Sequence, residues 1–191
     1  VAHVTHEDLD QLLEKALLLD DHGALAKQLV GLAEAYESGD ISRAAIFVLA
    51  AEEWRQAGQP ARALELFQRA LEDGGEAGTD PRAGIADTLF ELDRPDEARE
   101  VISEIAAGER RDPSTMLYVA ETLMAYGDLE AAHSWATEGV WLCGGDEDMR
   151  EALLRTRYRI RVDLGLPEDD LDALLDTEPS KLSNRGGGAL G

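Results

Sequence analysis

Five short turn signals recur at a nearly constant spacing, and this period limits the possible folds more than any other feature of the chain. The signals are Asp21-His22-Gly23, Gly58-Gln59-Pro60, Asp93-Arg94-Pro95, Gly127-Asp128 and Gly165-Leu166-Pro167. Counted from Gly23, Gly58, Asp93, Gly127 and Gly165, the steps are 35, 35, 34 and 38 residues. A period in the mid-thirties leaves room for two helices and their connections. One such unit cannot bury its apolar face alone, but a stack of them can. The residues between the turns carry helical patterning. Ala63, Leu66, Phe67, Ala70 and Leu71 fall at i, i+3, i+4, i+7 and i+8, and Met116, Val119, Ala120 and Leu123 follow the same series, which is the spacing of one helix face.

Helix boundaries are legible as well. Asp80-Pro81 and Asp112-Pro113 each set a capping carboxylate before a proline at the first helical position, where the missing N–H costs nothing. Pro167 opens a last segment whose first turn holds Glu168, Asp169 and Asp170, favourable against a helix dipole. These marks predict an all-α chain of ten helices in five antiparallel pairs: 6–20 with 24–38, 41–57 with 60–73, 81–92 with 95–107, 113–126 with 128–142, and 148–164 with 167–177. The repeats then occupy 6–38, 41–73, 81–107, 113–142 and 148–177 of a helical domain over 1–183, and residues 184–191 (NRGGGALG) are expected to be a disordered tail. Residues 72–79 (EDGGEAGT) read as a loop between repeats.

Charge narrows the functions. The 191-residue chain has a net charge of −22, with −7 over 1–40, −7 over 41–110, −6 over 111–150 and −2 over 151–191. A field spread this evenly repels phosphate backbones and anionic lipid, so neither nucleic acid nor a membrane surface is an expected partner. Cys143 is the sole cysteine, which rules out an internal disulfide and a cysteine-based zinc site. Glu7, Asp8 and Asp10 stand where a secretory signal would carry basic residues. The longest apolar run, 44–51, is too short to span a bilayer. The expected location is a reducing cytoplasm, and fifteen arginines against three lysines suggest a GC-rich bacterial genome.

No constellation of catalytic residues emerges. His3, His6, His22 and His133 are scattered, and Cys143 has no base near it in sequence. Gly74-Gly75 and Gly186-Gly187-Gly188 lack the strand–loop–helix setting and the Lys-Ser/Thr ending of a phosphate loop. The expectation is a non-catalytic chain with no metal and no cofactor. One basic segment interrupts the acidity: Arg155, Arg157, Arg159 and Arg161, with Arg150 and Tyr158 alongside. Two readings remain open for it. The arginines either cap the solenoid by pairing with the chain's own acids or form a docking cluster for an acidic partner, with nucleic acid the lesser option at this one segment.

The middle units resemble the tetratricopeptide repeat family. Residues 47–70 supply Phe47, Ala50, Ala51, Trp54, Ala63, Phe67 and Ala70 at the large and small places of that family's pattern. The next unit supplies Ile85, Ala86, Leu89, Ala98 and Ile102, and the one after it Met116, Val119, Ala120, Leu123 and Ala132. That fourth unit then departs with Ala136 and Gly139, where Trp135 and Trp141 are expected to fill the volume. The outer units are degenerate, with Lys15, Gln28, Arg157, Arg161 and Asp170 at expected apolar or small places. The resemblance implies a right-handed α-solenoid of about five antiparallel helix pairs with degenerate terminal repeats.

It also implies a peptide-binding groove on the first helix of each pair, lined by Val48, Glu52, Arg55, Asp87, Phe90, Leu117, Tyr118, Glu121 and Met124. Glu52, Asp87 and Glu121 would form a row of carboxylates, and the Lys and Asn residues with which one branch of the family grips a C-terminal carboxylate are absent. The implied function is a protein-interaction module for a basic, amphipathic peptide or protein segment. The alternative is a self-assembling structural or regulatory protein that acts through a homo-oligomer interface.

Overall fold

The computed structural model describes residues 2–19, 21–108 and 112–176; the expected tail at 184–191 and the end of the last expected helix lie outside them. The chain is an all-α solenoid of helix pairs packed in tandem. The central pairs are α3 (Arg43–Gln56) with α4 (Pro60–Asp73), α5 (Pro81–Glu91) with α6 (Pro95–Ala107), and α7 (Pro113–Ala125) with α8 (Leu129–Leu142). Helices α1 (His6–Leu19) and α2 (His22–Ala35) precede them, and α9 (Glu147–Asp163) and the one-turn α10 (Ala173–Asp176) follow.

The sequence period becomes a period in hydrogen bonding. Gly58, Asp93, Gly127 and Gly165 all take a left-handed backbone, with φ of 67°, 58°, 83° and 67°. In each turn the next N–H returns five residues: Gln59 to the Trp54 carbonyl, Arg94 to Leu89, Asp128 to Leu123 and Leu166 to Arg161. These bonds satisfy carbonyls that a helix end leaves open. Asp93 serves where the other turns use glycine because a short polar side chain tolerates this region. The first turn differs. Asp21 caps α2 by accepting from the Ala24 N–H, and Gly23 lies inside the helix.

Small residues set the seam of each pair. Ala51 faces Ala63, Ala86 faces Ala98 and Ala120 faces Ala132 in the pattern, and each of the six is 1% exposed or less. Such side chains let helix axes approach closely. Between pairs, α3 meets α5, α5 meets α7 and α7 meets α9, whereas α4, α6 and α8 hardly touch one another. The row whose members approach lies inside the curve. Helices α3, α5, α7 and α9 therefore form the inner face.

Three expectations need correction. First, α2 ends at Ala35, and Tyr36–Gly39 forms a strand, β2, paired in parallel with β1 (Ala2–Val4). Second, Trp141 fills no core volume: it is 71% exposed, while Trp135 packs partly buried on the core. The space at Gly139 is used by neighbouring helices, since a Cβ there would stand 2.7 Å from Leu153 Cδ2 and 3.0 Å from Met116 Cβ. The glycine lets α9 close onto α8. Third, the helix expected over 167–177 is reduced to α10, and Leu166–Asp172 runs without regular helix. Of the three acids expected in its first turn, Asp169 is drawn to the buried Arg157 and Arg161, joined there by Asp172, while Glu168 and Asp170 stay exposed.

Candidate functional site

The centre of the inner face is a network around Arg55, whose side chain is 15% exposed. Its guanidinium meets Glu52 on its own helix at 3.2 Å, and Asp87 and Glu91 on α5 at 2.6 and 2.5 Å. It also donates to the Tyr118 hydroxyl on α7 at 2.6 Å, and that hydroxyl donates to Glu52 at 2.6 Å. One side chain thus ties three successive inner helices. Three carboxylates surround a single guanidinium, so the network keeps a surplus of two negative charges.

That imbalance shows in the titration of its members. Burial raises the pKa of Asp87, and Arg55 does not cancel this because Glu91 and Glu52 add repulsion. Burial and then the Glu52 charge push the Tyr118 hydroxyl up, so it stays protonated as a donor. Burial opposes the charge on Arg55, but its hydrogen bond to Glu91 and the surrounding carboxylates outweigh it and raise its pKa.

The nine expected groove residues separate into two groups. Glu52, Arg55, Asp87 and Tyr118 form the network described above. Beside them a cavity of about 410 Å³ is lined by Arg55, Asp87, Glu91, Tyr118, Glu121, Thr122, Ala125 and Tyr126. Glu121 stands apart from the other two carboxylates of the expected row, accepting from Thr156 at 3.1 Å and lying 3.5 Å from Arg159. The row is therefore internally paired, and its open charge is the surplus around Arg55. Phe90 is only 9% exposed and stacks on Tyr126, with ring centroids 4.5 Å apart. Tyr126, 43% exposed, presents the aromatic surface here. Val48 and Met124 pack half-buried on the main core, and Leu117 packs on a second cluster of Val140, Cys143, Leu153 and Leu154.

Glu91, next to Phe90 on the same face, is a groove residue by sequence as well, whereas Tyr126 was missed. Tyr126 sits just after the end of α7, outside the helix periodicity. Its faint signal is its place, one residue before the left-handed Gly127.

The four arginines of the basic segment do not form one cluster. Arg157 and Arg161 are 2% and 7% exposed and turn inward. Arg157 meets Asp172 at 2.6 Å and also pairs with Asp169; Arg161 meets Asp172 at 2.8 Å and Asp169 at 3.1 Å. Arg161 additionally donates to the Pro167 carbonyl. Two guanidiniums and two carboxylates clip residues 167–172 onto α9. The hydrogen bond from Arg157 holds the Asp169 carboxyl well below its usual range. Arg155 and Arg159 remain exposed, and with Glu121, Ala152, Thr156, Tyr158 and Leu175 they line a second cavity of about 660 Å³.

Other reactive groups are engaged. Burial pushes the Cys143 thiol up in pKa, and its S–H reaches the Gly139 carbonyl at 3.2 Å. His22 lies 2.8 Å from Glu53, and His133 lies 3.3 Å from Arg161 with its pKa lowered by burial. Among the described residues, no three His, Cys, Asp or Glu side chains gather as a metal site, and no helix is long and apolar enough to cross a membrane.

A model of the tetratricopeptide repeat family matches residues 55–117, from the end of α3 into α7. This stretch contains Arg55, Asp87 and Glu91. No curated protein and no solved structure matches the chain.

Proposed function

We propose that this chain, which carries tetratricopeptide repeat sequence over residues 55–117 within an all-α solenoid, holds a protein segment against the inner face of α3, α5 and α7. Repeats of this family are generally protein-interaction modules. The observation that carries the reading is the surplus of two negative charges around Arg55, beside a cavity walled by Tyr118 and Tyr126. The preferred segment is amphipathic, with a cationic side chain over Asp87 and Glu91 and an apolar one against Tyr126. Tyrosine supplies rigid contact area at low entropic cost, and the charges add selectivity and association rate. Arg55 limits the site, since a ligand cation shares the carboxylates with it and does not displace it.

The test begins with affinity capture of a partner, followed by titration calorimetry of the interacting segment against the native chain and the Asp87→Asn/Glu91→Gln double variant. Binding should weaken by about tenfold or more, with a flatter salt dependence and an unchanged helical spectrum. A segment that binds both proteins equally does not use this network.

A further inference from the structure

Around Arg55 the donors are fully used and two acceptors are not. Its Nε and Nη2 meet Glu91 Oε1 at 3.0 and 2.5 Å, and Nη2 also meets Asp87 Oδ2 at 2.6 Å. Its Nη1 meets Glu52 Oε2 at 3.2 Å and the Tyr118 hydroxyl at 2.6 Å. These five contacts equal the number of N–H groups on a guanidinium. Glu52 has both oxygens engaged, since Oε1 accepts from Tyr118. Asp87 and Glu91 each meet Arg55 through one oxygen, and Asp87 Oδ1 and Glu91 Oε2 accept no hydrogen bond among the described residues. No buried side-chain oxygen among those residues lacks a partner, so Asp87 Oδ1 is open to solvent, and Glu91 is itself exposed. The two acceptors stand one turn apart on α5, at the cavity of about 410 Å³ that both residues line.

The cavity also has a flat aromatic wall. The Tyr126 ring lies against Phe90 at an interplanar angle of 14°, and Tyr126 remains 43% exposed. We propose that the cation this cavity takes from a partner segment is an arginine side chain in preference to lysine. Its guanidinium stacks on Tyr126 and donates to Asp87 Oδ1 and Glu91 Oε2. This rests on the reading of the inner face given above and narrows it to one side-chain type.

The two cations differ in shape and hydration. A guanidinium is planar, so it can lie on a ring and direct N–H groups from its edge at two acceptors, whereas an ammonium is a point charge without a plane. It is also more weakly hydrated, and so loses less on entering a cavity walled by two tyrosines and Ala125. Guanidiniums stack on aromatic faces more often than ammonium groups do. This chain follows that pattern: Arg62 and Arg69 stand 4.5 and 4.3 Å from the Trp54 and Phe47 centroids, and Lys27 stands 6.0 Å from Trp54. An incoming arginine would set two guanidiniums against three carboxylates, lowering the surplus of negative charge from two to one. Charge alone would accept either cation. The ring and the paired acceptors make the choice.

The probes are three acetylated, amidated tripeptides, Leu-Arg-Leu, Leu-Lys-Leu and Leu-citrulline-Leu, the last a neutral isostere of the first. Each is titrated into the ¹⁵N-labelled full chain at about 0.1 M salt, which screens distant surface attraction. Binding is read from the amide shifts of residues 87–91 and 124–127. The arginine peptide should bind at least about fivefold more tightly than the lysine peptide, and the citrulline peptide should give no saturable shift. Tyr126→Phe keeps the ring and should keep the preference. Tyr126→Leu should abolish it with an unchanged helical spectrum. A smaller preference overturns the proposal, as does one that survives Tyr126→Leu or disappears in Tyr126→Phe. No saturable shift with the arginine peptide up to about 20 mM also overturns it. Equal binding of the arginine and lysine peptides, lost in Asp87→Asn/Glu91→Gln, would overturn the arginine choice and leave the cation-binding reading standing. Binding of both peptides undiminished by that double variant would overturn the two together.

Discussion

Arg55 and the Arg157–Arg161 pair both gather carboxylates from distant parts of the chain, but their surroundings differ. At the clip, two guanidiniums meet two carboxylates, and Arg157, Arg161 and Asp172 are all under 10% exposed. At the inner face, one guanidinium meets three carboxylates beside an open cavity. A balanced, buried network completes its own hydrogen bonding and leaves nothing for a ligand. An unbalanced one at a surface retains charge that a partner can use. On the proposed function, the clip serves stability and the Arg55 network serves binding, although the sequence presents both as arginine among acids.

The largest expected effect tests the clip. Arg157→Ala leaves Asp172 buried without one of its two partners and should cost about 3–5 kcal/mol of unfolding free energy, read by urea titration. Arg55→Ala comes next, at about 1–3 kcal/mol, because the carboxylates it leaves behind retain access to water. Equal costs at the two sites would erase the distinction between them.

The two networks should also respond to pH with opposite sign. The folded pKa of Asp169 is depressed, so its stabilisation is fully present above the unfolded value of about 3.9 and is lost as pH falls through the folded value. The folded pKa of Asp87 is raised, so its burial costs stability above that value, and the cost fades as pH falls toward the unfolded one. In the window just above pH ~4, Asp87→Asn should therefore flatten the pH dependence of stability, and Asp169→Asn should leave that window unchanged. Urea titrations at several pH values measure both. The smallest expected effect belongs to Arg155, 69% exposed and paired with Glu151 on its own helix: Arg155→Ala should change stability by less than about 0.5 kcal/mol.

Much of the architecture could be read from the chain because it depends on local chemistry. Gly58, Gly127 and Gly165 mark the turns through backbone freedom, Asp80 and Asp112 mark helix starts, and Ala98 and Ala132 mark close seams. Partner choice could not be read this way. Periodicity places Glu52 and Asp87 on one face but is silent on Arg55 reaching Glu91 and Tyr118, 36 and 63 residues away. The C-terminal acids misled for a related reason. Asp169 and Asp170 after Pro167 look like the first turn of a helix, and only the three-dimensional approach of Arg157 and Arg161 makes residues 167–172 a strap. Trp141 misled because the repeat pattern wants bulk near Ala136 and Gly139, where the glycine had already given the space to Leu153.

The assignment of binding to one network and stability to the other can be tested most directly by amide hydrogen exchange of the chain with and without a captured partner. Protection gained on α3, α5 and α7 around Arg55, Asp87, Glu91 and Tyr126, with exchange at α9 and residues 167–172 unchanged, is the expected result. Protection gained on the outer helices α4, α6 and α8, with the Arg55 region unchanged, would contradict it.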